Sequence, residues 1–280
     1  MMNKTVKRLI PFLLLGGAAS LVLGCGDLPP DGEAADSDEP LESISSPIWN
    51  GTPVDSKITI EIHSSAGGCS AVMVNPAVAL TSAHCTTTAS TQSFKVYRSQ
   101  AGGARQLVGT YNAGVTRDAF YSGSGDAGDD GAVLRFPNPI PQVVTVPIYT
   151  GTLGNEVLFA MGWGYDTYSN PTTVDVLKYG PLVVSRRMTE YLVAYANHGQ
   201  IRSCHGDSGG PWLKVTSSGF AVAAIDSNSD KNGGECAAYK AREEAFRLRG
   251  SNADWVERAV NASAFATCRR SGDILDCQGS

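Results

Sequence analysis

Ser208 sits among glycines in the run Gly206-Asp207-Ser208-Gly209-Gly210-Pro211. Glycine lets a backbone turn sharply and lets a second chain approach it closely. A serine hydroxyl is a weak nucleophile until a base takes its proton, so reactivity at Ser208 demands an imidazole and a group to orient it. Both occur upstream. His84 lies in Thr81-Ser82-Ala83-His84-Cys85, directly after an apolar run. Two carboxylates, Asp129 and Asp130, precede the strand-like stretch Gly131-Ala132-Val133-Leu134-Arg135-Phe136. A glycine-rich serine loop alone is a common turn. Three separated segments in the order His, Asp, Ser form a far more specific signal.

With these surroundings the chain resembles the chymotrypsin/trypsin family of serine endopeptidases, from about residue 48 to residue 260. The resemblance implies an all-β fold of two six-stranded antiparallel Greek-key barrels with a C-terminal helix. It also implies a triad of His84, Asp130 and Ser208. Asp130 is chosen over Asp129 because Gly131-Ala132-Val133-Leu134 after it fits the family's pattern behind the acid. Gly131 stands where the family usually has isoleucine, and Asp129 is left as a solvated loop residue. In this scheme His84 is general base and then general acid, and Asp130 fixes its tautomer. The amides of Gly206 and Ser208 would hold the oxyanion, each donor being worth roughly 3 kcal/mol of barrier.

The segment Ile48-Trp49-Asn50-Gly51-Thr52 resembles the start of the family's mature chains. Cleavage of Pro47–Ile48 would free an ammonium at Ile48 to pair with Asp207, because an unpaired buried carboxylate is costly. The alternative is that Asp207 only accepts backbone bonds within its own turn. Proline before the cut argues against trypsin-like self-activation.

The elements that must position these residues come from composition and pattern. A chain of 280 residues holds one large core or two small ones, and 31 glycines with only 18% charged residues point to many turns and short strands. Strand-like segments appear at Ile58–Ile62, Ala71–Val74, Val78–Leu80, Phe94–Tyr97 and Leu107–Tyr111, so the first barrel is expected over 48–146. The second is expected over 147–249, with Met161-Gly162-Trp163-Gly164 resembling a family strand end. Ser251-Asn252 reads as the cap of a helix over 251–260 with Trp255, Val256, Ala259 and Val260 on its apolar face. Residues 261–280 read as a bridged or frayed tail.

Ahead of the barrels, Lys4, Lys7 and Arg8 precede an apolar stretch to Leu23, the pattern of an export signal over 1–24. Leu21-Val22-Leu23-Gly24-Cys25 resembles a bacterial lipobox, with Cys25 as the lipidated residue. The other reading is an ordinary signal peptide with an incidental cysteine. Residues 25–47 are rich in Asp, Glu, Ser and Pro and read as a tether, a propeptide or both.

Seven cysteines in an exported chain leave one odd. The resemblance pairs Cys69 with Cys85 and Cys204 with Cys236. With Cys25 lipidated, Cys268 and Cys277 then close a C-terminal loop. No Cys-x-x-Cys or His-Glu-x-x-His occurs, so no metal and no cofactor is expected. His63 and His198 read as structural or surface residues, and His205 as a rim residue.

The specificity pocket is expected around Arg202, Ser203, Ser227, Ser229 and Glu244. Arg202 stands where trypsins carry an aspartate, so cleavage after Lys or Arg is not expected, since cations in a narrow pocket repel. Three readings stay open for Arg202: it binds an acidic substrate side chain, it pairs internally with Glu244 or Asp226, or it faces solvent. A net charge of −5 and the lack of basic runs exclude a nucleic-acid binder. The expectation is an exported monomeric zymogen acting on polypeptides, with contact to a membrane only through a lipid anchor. The rival from another class is a binding or adhesion protein on a protease scaffold.

Overall fold

The computed structural model describes residues 48, 51–123, 126–164, 176–197, 201–231 and 240–278. The proposed signal, lipobox and tether, together with His198 and Cys236, lie outside these.

Six strands close the first barrel: Thr59–Ser64, Gly67–Asn75, Val78–Ser82, Thr91–Ser99, Arg105–Arg117 and Gly131–Arg135. All five apolar segments foreseen from the sequence fall in these strands, save Ile58, one residue ahead of the first. In Thr91–Ser99 the residues Gln92, Phe94 and Val96 are buried while Thr91, Ser93 and Lys95 are exposed, the alternation of a strand with one wet face. The inner residues Ile60, Ile62, Ala71, Met73, Phe94, Val96 and Leu134 fill the core.

A second set of six closes in the same way: Val157–Gly162, Lys178–Arg187, Tyr191–Asn197, Pro211–Thr216, Gly219–Lys231 and Lys240–Arg247. Both barrels are wholly antiparallel. Around each, the strands follow the order first, second, third, sixth, fifth, fourth. This is the two-barrel, all-β fold that the sequence implies, followed by a helix at Ser251–Asn261.

Three details differ from expectation. First, the opening of the 48–146 segment belongs with the second barrel: Ile48 packs with Leu158, Leu182 and Trp212, and Thr52 pairs with Tyr179. Ile48 is drawn there because its amide bonds to a carboxylate of that barrel. Second, the residue preceding the helix is Gly250, at φ +58° and with no side-chain cap. Asn252 instead donates from Nδ2 to the carbonyls of Gly128, Glu190 and Arg247, at 3.1–3.2 Å, tying the helix to both barrels. Val256, Ala259 and Val260 are buried, with Trp255 partly buried against the core, as the apolar face foretells. Third, the last segment, bridged as one of its two readings has it, also forms strands: Arg269–Ser271 and Ile274–Asp276 make a hairpin that pairs with Ile148–Tyr149. The Cys268–Cys277 disulfide closes that hairpin within the core.

Gly131 explains its own departure from the family pattern. A Cβ there would lie 2.7 Å from the ring of Phe246, which stacks edge-on against Trp255. The ring of one barrel thus rests on the bare backbone of the other. Gly131→Ala should lower unfolding free energy by about 1–3 kcal/mol, the usual scale of overpacking. Urea titration against the parent checks this; an unchanged midpoint would mean that the ring moves freely.

Candidate active site

The third and sixth strands of the first barrel lie side by side, with Ser82 opposite Gly131. Their ends carry His84, in the short 3-10 turn Ala83–Cys85, and Asp130. Asp130 clamps the histidine at two points. Its Oδ1 accepts from the His84 backbone N at 2.9 Å, and its Oδ2 from Nδ1 at 2.7 Å. Asp130 is 2% exposed, whereas the His84 side chain is 37% exposed, so the far edge of the imidazole faces solvent. Burial acts to lower the His84 pKa, but the hydrogen bond and charge of Asp130, with the charge of Asp226, outweigh it and raise it above the ordinary imidazole value.

Ser208 comes from the loop ahead of Pro211–Thr216, in the other barrel. Strand Gly67–Asn75 holds that loop against the first barrel. The Ser70 amide donates to Ser208 O at 2.9 Å and Ser70 Oγ to Gly206 O at 2.9 Å, while Ser70 Oγ accepts from Trp163 N at 2.9 Å. Cys69 is disulfide-bonded to Cys85, and the His84 ring lies within 4.8 Å of both sulfurs. Cys85 Sγ lies 3.7 Å from Ser208 O. These sulfurs are spent on each other and offer no thiolate to a metal. Cys204 is also disulfide-bonded.

Ser227 bridges the two halves. Its Oγ donates to Asp130 Oδ2 at 2.6 Å, and its carbonyl accepts from Ser208 Oγ at 3.4 Å. The hydroxyl of Ser208 is turned to this carbonyl rather than to the imidazole. At that length the bond is weak and readily exchanged.

Two glycines are fixed by geometry. Gly206 has φ +92°, and Gly209 has φ +85° with no room for a Cβ, which would fall 2.1 Å from Ser70 O and Thr81 Oγ1. Gly209 N donates to Asp226 O at 2.7 Å and Gly210 N to Asp207 O at 2.8 Å. Among the described residues, the amides of Gly206 and Ser208 donate to no group.

Asp207 is fully buried. Its carboxylate accepts from Gly164 N at 2.7 Å, Cys204 N at 2.7 Å and Ile48 N at 3.2 Å. Burial first, and then the charge of Asp226, push its pKa up to about 7 against the pull of these amides. Ile48 is itself buried, at φ +47°, a rare conformation for a β-branched residue.

Of the residues expected to line the specificity pocket, Arg202, Ser203 and Ser227 are buried and internally engaged. Arg202 and Ser203 are each 1% exposed. Asp226 accepts from Ser203 Oγ at 2.7 Å and Trp212 Nε1 at 3.0 Å. The acid whose charge acts on Arg202 is Glu243, which is fully buried, rather than Glu244, which forms an ion pair with Arg242. Strand alternation gives the reason. Glu243 and Ala245 share one face and Glu244 and Phe246 the other, and Phe246 turns toward the helix. Ser229 is paired by strand register with Glu243, and its side chain lies outside the described residues.

The sequence reading names residues that meet in pairs, His84 with Asp130, Ser208 with Ser227 and Ile48 with Asp207. It missed Ser70, Ser82, whose Oγ donates to Asp226 O at 2.5 Å, and Glu243. Ser70 had one signal, its place directly after Cys69. Glu243 was readable from the two-residue period relative to Phe246.

Two closed six-stranded barrels with a serine, a histidine and an aspartate gathered from both define a serine-protease-like scaffold. The trypsin family matches residues 49–242, and the chain belongs to that family.

The Asp207 shift has a sign that can be tested. An acid whose folded pKa lies above its unfolded value binds its proton more tightly when folded. Its contribution to stability is complete below about pH 4 and is lost as pH rises through about 7. In the uncleaved chain, urea unfolding from pH 5 to pH 8 should show a loss of a few kcal/mol that Asp207→Asn removes. Parallel pH dependence of the two proteins would mean that Asp207 is not the source.

Proposed function

We propose that this chain is an exported serine endopeptidase, made as a precursor and switched on by cleavage before Ile48. The observation that carries the reading is the double clamp of Asp130 on His84 beside a serine loop pinned by Ser70. After rotation from the Ser227 carbonyl, Ser208 Oγ attacks the scissile carbonyl carbon while His84 Nε2 takes its proton. Asp130 stabilises the imidazolium. The amides of Gly206 and Ser208 receive the oxyanion. His84 then gives the proton to the leaving amine. Water, deprotonated by His84, hydrolyses the acyl-enzyme and restores the Ser208 hydroxyl.

The activation step follows from Asp207 and Ile48. In the continuous chain a neutral amide faces a buried carboxylate, and a β-branched residue holds a left-handed backbone. Hydrolysis of the preceding bond replaces that amide with an ammonium and frees the backbone torsion. The new charge pair lowers the Asp207 pKa and locks the loop that presents the oxyanion donors. At the start of the chain, the same reading has residues 1–24 removed on export and Cys25 carrying lipid.

For specificity, Arg202 is engaged by Glu243, and Asp226 by Ser203 and Trp212. The pocket is therefore best suited to small uncharged side chains. Binding without catalysis is the second reading, favoured by the Ser208 hydroxyl resting on Ser227 rather than on His84.

A fluorophosphonate probe separates the two. Labelling is expected after cleavage at Pro47–Ile48, at least tenfold faster than before it, and none with Ser208→Ala. No labelling in either form would support the binding reading. The cleaved enzyme should lose kcat/KM on acidification with a midpoint above 6.5, as His84 takes up its proton. Profiling with a peptide library should give alanine, glycine or serine before the cut; preference for lysine or arginine would overturn the pocket assignment.

A further inference from the structure

The first barrel carries a polar depression of about 350 Å³ on its outer face. Its floor is a row across three strands. His63 lies opposite Lys95, and Lys95 opposite Thr110. Ser93 and Tyr97 flank Lys95 on the same face of its strand, and Ser64 closes one side. Every one of these side chains can donate a hydrogen bond. Among the described residues, Ser93, Lys95 and Thr110 spend no side-chain donor elsewhere. Ser64 Oγ only accepts, from Ala66 N at 3.1 Å, so its own hydrogen is available.

The neighbouring negative charge is already matched. Glu61, 5% exposed, takes His63 Nε2 at 2.5 Å and Arg105 Nη1 at 3.2 Å, and Arg105 lies over the Tyr97 ring at 4.6 Å. Lys95 is left as the charge that a ligand would meet. A cation ringed by hydroxyl donors, with no carboxylate on its lining, selects an anion.

The row begins one strand away from the segment that supports the serine loop. Gly68, opposite His63, is one residue from Cys69 and two from Ser70, which holds the Ser208 loop. At about 3.3 Å per extended residue Gly68 is roughly 7 Å from Ser70, and at about 4.8 Å between strands Lys95 is roughly 10 Å to the side of Gly68, so about 12 Å separates Lys95 from the Ser70 contact. A polypeptide in the cleft reaches the row with a side chain some two to four residues from its scissile bond.

We propose that the His63–Lys95–Thr110 row is a subsite for an acidic side chain of the polypeptide substrate. The assignment of a substrate rests on the protease reading; that of an anion does not. The test uses the cleaved protein carrying Ser208→Ala, so that binding is read without turnover. Fluorescence anisotropy is measured with the best-cleaved library peptide, in which a single Glu or Gln is walked through positions two to four residues from the scissile bond on each side. At one position Glu should bind about fivefold tighter than Gln, the scale of an exposed ion pair. The preference should fall with added salt, vanish with Lys95→Ala and reverse with Lys95→Glu. Equal binding of the Glu and Gln peptides at every position, or a preference that survives Lys95→Ala, overturns the proposal. Fluorophosphonate labelling of the Ser208 protein reports on the protease reading separately. Labelling without acid preference removes the subsite alone, and acid preference without labelling leaves an anion site and removes its role in proteolysis.

Discussion

A carboxylate with no access to water governs this molecule. Asp207 adjoins Ser208, and everything that accommodates its charge also shapes the nucleophile loop. Gly162 and Gly164 must be glycine around it, since a Cβ at either would fall within 2.5 Å of its carboxyl group. The amides of Gly164, Cys204 and Ile48 converge on it. Three amides supply partial charges only, and a second carboxylate, Asp226, opposes them. The site is thus short of one full positive charge, which, on the proposed reading, cleavage before Ile48 would supply. Removing one partner of a buried ion pair is typically far more disruptive than losing a surface pair. The same asymmetry makes gaining that partner a strong drive for local order.

The two barrels are joined by polar contacts that double as the site's supports. Ser70 is a strand residue of the first barrel, yet its amide and hydroxyl hold the carbonyls of Ser208 and Gly206 in the second. Ser227 is a strand residue of the second barrel, and its hydroxyl holds Asp130 in the first. Asp226, next to it, accepts Ser82 Oγ through its carbonyl. Gly131 lets the Phe246 ring press on the strand that begins behind Asp130. A shift of one barrel against the other would disturb all these contacts together, so the position of Ser208 relative to His84 is tied to the packing of the whole domain.

What the sequence made legible was what is local or patterned. The apolar segments of the first barrel gave its strands because most are short buried runs and one, in Thr91–Ser99, alternates with period two, and the helix gave its apolar face. The motifs around His84, Asp130 and Ser208 named the residues but not their relative pose. Contacts set by distant partners were hidden: Ser70 has no distinctive neighbours apart from Cys69, and Asn252 is a tether between barrels, which looks in sequence like a cap. The Glu244 reading failed for a different reason. A residue two before Phe246 shares its face and turns away from the barrel interior. The bulge between Asp226 and Asn228 in the partner strand adds to the difficulty, since register there cannot be counted along one chain alone.

The same buried charges link specificity to catalysis. Asp226 lies beside the pocket through Ser203, yet its field reaches His84 and Asp207 as well. Placing a second positive charge in that pocket would stabilise Asp226 but oppose Arg202, and would relieve the repulsion that Asp226 exerts on Asp207. A positively charged substrate side chain would therefore alter the base and the loop as it bound, whereas an uncharged one leaves both unchanged. On the proposed reading, a pocket whose guanidinium faces Glu243 and whose carboxylate is hydrogen-bonded by Ser203 and Trp212 would favour the uncharged side chain on electrostatic grounds before shape is considered. Charge recognition is then better placed away from the triad, on the outer face of the first barrel. There Lys95 is wet, and the field of any bound anion is screened before it reaches His84.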